Sequence, residues 1–163
     1  MAGCHQSFAP QALLEGVESS VEEQLMAVGS LLLRTLLRSD VRVVEAMVMA
    51  DKKNQASLTK LHYEAGPAHV ITQVEAFLRQ LHAKALLNVP DPHQSACLFA
   101  ALFKGSDLLM SARFDEAKAE DDSEIESYCR SAVTIFIAAH GGIQGAIAAV
   151  ILPGVPACVP FAT

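Results

Sequence analysis

The sequence predicts an all-α domain, and three observations carry that prediction. Apolar residues recur at spacings of three and four along most of the chain, which is the period of one helix face. The two-residue alternation of a half-buried strand occurs nowhere. Proline and glycine fall where helices begin and end, with Pro67 and Pro92 at starts and Gly105 and Gly141-Gly142 at stops. At 163 residues, with 52% apolar and 18% charged residues, the chain is long and greasy enough for one packed core, so disorder is excluded as a description of the whole.

The elements follow in order. Residues 10–37 read as one long helix, with Leu14, Val17, Val21, Leu25, Val28, Leu32 and Leu36 on one stripe and Glu15, Glu18, Glu22 and Glu23 off it. Pro10 suits its first turn, and Ser39-Asp40 closes it and offers an N-cap for the next segment. Val41–Ala50 is apolar nearly all round, which predicts a helix central to the core or lining a cavity. A further helix is expected over Ser57–Ala65, and another over Ala68–Leu86 with Val70, Val74, Phe77, Leu81 and Ala85 on its face. Asp91 caps and Pro92 opens a helix through Ala96–Phe103, ended by Gly105. Leu108–Phe114 forms a short turn, 117–122 a charged loop, and Ser123 caps a last helix over Glu124–His140.

Charge and cysteine usage narrow the function. With 12 basic and 18 acidic residues the net charge is −6, which repels phosphate backbones, and Lys52-Lys53 is the sole adjacent basic pair. Direct nucleic-acid binding by these residues is therefore not expected. The four cysteines (Cys4, Cys97, Cys129, Cys158) show no close pairing, and Cys97 and Cys129 sit in helical apolar patterns where a thiol acts as a small hydrophobe. No basic start followed by an apolar run is present, so a reduced, cytoplasmic setting is expected.

Chemistry-bearing motifs are scarce. No Glu precedes a His by three residues and no two histidines stand four apart, so no metal site is predicted from His62, His69, His82, His93 or His140. Neither a nucleophile elbow nor a Gly-rich phosphate loop occurs. The chain reads as a non-enzyme with no catalytic residues and no cofactor.

Four runs in order nevertheless resemble a known family. They are Ser39–Ala50 (SDVRVVEAMVMA), Leu61–Ala68 (LHYEAGPA), Asp91-Pro92 leading into Ala96–Gly105 (ACLFAALFKG), and the closing helix Tyr128–His140. Together they resemble the C-terminal regulatory domain of TetR-type transcription regulators, in the AefR-like subgroup, between Phe8 and His140. Asp51–Leu58 replaces a proline-containing stretch common in that family. The resemblance implies an antiparallel helical bundle that binds a small effector and forms a homodimer through its last two long helices.

On that reading residues 1–9 are an N-terminal extension, 10–140 the regulatory domain, and 141–163 an apolar Gly/Pro-containing tail. The family's helix-turn-helix has no room before the domain, so a truncated member is expected, unable to bind DNA by itself and able to pair with full-length relatives. Met47, Met49, Phe77 and Phe103 are the candidate pocket wall for a small apolar effector, with His62 and Tyr63 as its polar contacts. Phe99, Leu102, Tyr128, Ala132 and Phe136 are the candidate dimer interface. The alternative is a stand-alone helical interaction module without a ligand. The tail carries Pro153, Pro156 and Pro160, which argue against a membrane-spanning helix.

Overall fold

A computed structural model describes residues 20–141. The described residues are helical with no strand, in seven α-helices and one 3₁₀ turn. The expected tail 141–163 and extension 1–9 lie outside them, apart from Gly141, as does the first part of the predicted helix from Pro10.

Helix α1 is Val21–Leu37, and its start corrects the expectation of an unbroken helix from residue 10. Ser20 is extended (φ −62°, ψ 158°), and its hydroxyl accepts from the Glu23 N–H while the Glu23 carboxylate accepts from the Ser20 N–H at 2.8 Å. This reciprocal capping box satisfies two donors that a helix start leaves orphaned. Helix α2 (Ser39–Ala50) follows after the single residue Arg38, whose guanidinium pairs with Asp40 at 2.8 Å. Asp40 thus lies inside the first turn and is not the cap.

Helix α3 spans Gln55–Ala65, and α4 spans Pro67–Ala83 with Pro67 in its first turn as the sequence predicts. Helix α5 is Pro92–Lys104, capped by Asp91, which accepts from the Gln94 N–H at 2.9 Å, and ended at Gly105. Helix α6 (Asp107–Ser111) and a 3₁₀ turn (Glu116–Glu120) lead to α7, Asp122–His140. Asp121 rather than Ser123 caps α7, since its carboxylate accepts from the N–H groups of both Ser123 and Glu124 at 3.1 Å.

Four helices hold the core. Leu25, Val28 and Leu33 from α1, Val74, Phe77, Leu78 and Leu81 from α4, Phe99 and Phe103 from α5, and Ile125, Val133 and Phe136 from α7 are buried together. Phe99 is the hub, its ring centroid 5.0 Å from those of both Phe103 and Phe136 in tilted and edge-on arrangements, the offsets aromatic pairs prefer. Helices α5 and α7 run antiparallel: Ser95 meets His140 at one end, and the Tyr128 hydroxyl donates to the Leu102 carbonyl near the other. Burial pushes the Tyr128 hydroxyl up from its ordinary pKa, so it remains a donor.

The second correction concerns α2. Only Val48 is buried on it, while Val43, Val44, Met47 and Met49 are exposed. A helix apolar nearly all round carries little phase information, so its pattern could not say which face packs. The phenylalanines of α5 and α7, with α1 and α4, occupy the centre, and α2 lies outside. Arg42 fastens it there, donating to the Leu37 carbonyl at 3.0 Å, to the Ala112 carbonyl, and to the Glu116 carboxylate at 2.6 Å. The Lys104–Glu45 pair at 3.4 Å ties it to the end of α5.

Candidate functional site

The residues expected to line a pocket divide into two groups. Phe77 and Phe103 are packing residues of the core, 2% and 0% exposed. Met47, Met49 and Tyr63 are exposed on the outer α2–α3 layer, and His62 beside them is half-buried. The structure therefore does not bring these six side chains to one cavity wall. A cleft of about 490 Å³ opens elsewhere, between the end of α1, the start of α2 and the 3₁₀ turn, lined by Arg34, Arg38, Asp40, Glu116, Glu120 and Asp122 among others. Most of its charges are paired within the chain, with Arg34 on Asp122 at 2.8 Å, Arg38 on Asp40 and Arg42 on Glu116. A groove of about 460 Å³ runs along α7 beside Leu108, Ser123, Glu124, Ser127, Tyr128 and Ser131.

The residues expected at a dimer interface also divide. Phe99, Ala132 and Phe136 point into the chain's own core, because their helical phase is that of Phe103, Cys129 and Val133. Leu102 and Tyr128 are half-buried and join α5 to α7 through the hydroxyl–carbonyl bond. What α5 and α7 turn outward is a different set. Leu98 (54% exposed) and Ile135 (60%) are large apolar side chains in water, with the exposed small residues Ala101, Ser131 and Ala138 on the same two helices. The signal was in the sequence, since fixing Phe99 and Phe136 inward forces Leu98 and Ile135, each one residue away, well round the helix.

Two histidines have structural duties. His140 stacks on Phe136 with ring centroids 4.1 Å apart, its Nδ1 2.9 Å from the Phe136 carbonyl and its Nε2 3.0 Å from the buried Ser95 hydroxyl. With Nδ1–H donating to that carbonyl, Nε2 accepts from Ser95. The pair is a Ser–His contact without a carboxylate behind the imidazole, and it closes the end of the bundle together with the Asn88 N–H on the His140 carbonyl at 2.8 Å. His82 Nδ1 accepts from the Val89 N–H at 3.1 Å and so pins the α4–α5 connection. Among the described residues no group of three His, Cys, Asp or Glu side chains is arranged to hold a metal ion, and no helix is long and apolar enough to cross a membrane.

These features define an all-helical domain with a four-helix core, in which antiparallel α5 and α7 expose Leu98 and Ile135. Residues 23–142 match the family described as AefR-like transcriptional repressor, C-terminal domain, and the chain belongs to that family of TetR-type domains. Comparison with curated proteins and with solved structures finds no match.

Proposed function

We propose that this chain dimerises through the outer face of α5 and α7 and, as a dimer, binds a small effector for a TetR-type transcription regulator. The observation that carries the reading is the pairing of exposed Leu98 and Ile135 with small exposed neighbours on two adjacent antiparallel helices. Small residues let a second helix pair approach closely, and two large apolar side chains give the contact a desolvated centre. Membership of a repressor-domain family supplies the regulatory context. The net charge of −6 disfavours DNA contact by these residues.

The effector part of the reading rests on the outer layer. Met47, Met49, Leu61 and Tyr63 expose flexible or aromatic surface there, the kind of surface that adapts to small apolar molecules; Phe77 and Phe103 keep their packing role. Sedimentation velocity tests the dimer: the wild-type chain is expected to be dimeric at micromolar concentration and Leu98→Glu monomeric with unchanged helicity. A wild-type monomer at that concentration would refute it. Titration with an anilinonaphthalene sulfonate dye tests the layer, since Met47→Ser should lower its binding severalfold, and equal binding by both proteins removes α2 from the effector site.

A further inference from the structure

Cys97 departs from its sequence pattern. Of the two described cysteines, Cys129 is buried within the core, where burial pushes its thiol pKa up, whereas Cys97 on α5 is exposed. An exposed thiol is not packing anything, so its surroundings decide what it does. One turn before it, His93 places Nε2 3.9 Å from Cys97 Sγ. The other nitrogen of the same ring, Nδ1, lies 2.9 Å from Oε2 of Glu75, which stands on the neighbouring helix α4. Glu75 is itself held by the guanidinium of Arg79 one turn on, and its side chain is only 21% exposed. The carboxylate fixes the tautomer: with Nδ1–H donating to Glu75, the lone pair of Nε2 faces the thiol. A nucleophile, a base and a group that orients the base thus stand in line, drawn from two helices.

We propose that Cys97 is a site of covalent modification by soft electrophiles of the α,β-unsaturated carbonyl class, with His93 as the base and Glu75 as its positioning residue. Cys97 precedes Leu98 and lies one turn from Ala101 on the proposed dimer face, so the alkylation rate is read on the Leu98→Glu chain as well as on the wild type. In the step, Nε2 of His93 takes the thiol proton as Sγ bonds to the β-carbon of the electrophile. The π electrons of the C=C bond move to the α-carbon, which then takes a proton back from the imidazolium. One S–C bond and one C–H bond form, the S–H and C=C π bonds are consumed, and nothing is oxidised or expelled. The Ser95–His140 contact offers no such chemistry, because its hydroxyl is buried and its imidazole is backed by a carbonyl.

N-ethylmaleimide at pH 7 on the full chain provides the test. Tryptic cleavage releases 85–104, which holds Cys97 and no other cysteine, so its alkylation rate is read by mass spectrometry without interference. The expected rate is about tenfold above that of N-acetylcysteine, a modest share of what a positioned base supplies. His93→Asn should bring it down to the N-acetylcysteine rate, with circular dichroism unchanged because His93 is a surface residue. Glu75→Ala should lower it about threefold, and Glu75→Gln, whose amide oxygen still accepts from Nδ1–H, should keep at least half. A wild-type rate within twofold of N-acetylcysteine, or a His93→Asn rate equal to wild type, overturns the proposal.

Discussion

The ring of Phe103 lies across Gly29, so near that a Cβ on Gly29 would stand 2.5 Å from its Cζ and 3.0 Å from Cε1. This is where α5 crosses α1, and the absent side chain sets the depth of the crossing. Phe103 is fully buried between Phe99 at 5.0 Å and Tyr128 at 6.3 Å, so its ring has no room to retreat. Gly29→Ala would gain about 1 kcal/mol of helix propensity but meets overpacking that costs about 1–3 kcal/mol. The net expectation is destabilisation, read as a lower urea midpoint. Phe103→Leu added to Gly29→Ala should cost less than the two changes taken separately, a coupling that strict additivity would disprove.

Ala85 takes a left-handed backbone conformation, φ 55°, just past the end of α4. The Leu86 N–H reaches back to the Leu81 carbonyl at 2.9 Å, the six-to-one bond of a Schellman ending. Glycine is the usual residue at this position, because a Cβ there costs about 1–2 kcal/mol. Ala85→Gly is therefore expected to raise stability by about 1 kcal/mol, partly offset by the greater freedom of glycine in the unfolded chain. A thermal melt that fails to rise would contradict this.

Acid should unfold the domain through specific carboxylates. The Ser20 N–H on Glu23, the Arg38 guanidinium on Asp40, the Asn54 N–H on Asp51 and the His93 imidazole on Glu75 each hold the acid below its ordinary pKa. A carboxyl lowered in the folded state adds stability that is complete above its unfolded value and is lost as pH falls through the folded one. The melting temperature should accordingly fall as pH drops below the ordinary values of 4.5 for Glu and 3.8 for Asp. Asp51→Asn should shallow that fall in melts taken between pH 3 and 6, and an unchanged slope would exclude Asp51 as a contributor.

Much of this fold was legible before the structure. Asp91-Pro92, Pro67 and Gly105 each carry a local physical constraint on a helix end, and each stands where the sequence puts it. The start of α1 was legible too, as Ser20-x-x-Glu23, but the apolar stripe running on either side of it masks the capping box. Helix α2 was not legible, since after Glu45 the apolar Met47, Val48 and Met49 point to several sides and leave its rotation open. The same lack of phase made Met47 and Met49 look interior. Cys97 misled for a related reason: the helix around it is apolar on most sides, and its outward place appears only once Ala96 and Phe99 are seen to face the core.

Ile135 and Phe136 adjoin in sequence and separate the two roles of α7. Phe136 is 2% exposed, edge-on to Phe99 and stacked on His140; Ile135 is 60% exposed. Phe136→Ala removes a ring from the packed centre, and such truncations cost about 3–5 kcal/mol. That loss belongs to the single chain, so it should appear in urea melts at every protein concentration. Ile135→Glu opens no cavity and leaves the core unchanged. It places a charge at the centre of the proposed α5–α7 face, where a second copy would bury it without a partner. It should therefore leave helicity intact, shift sedimentation from dimer to monomer at micromolar concentration, and abolish the rise of melting temperature with concentration that an associating protein shows. If Ile135→Glu sediments as the wild type does, the outer face of α7 is not the interface, whatever the core residue beside it does.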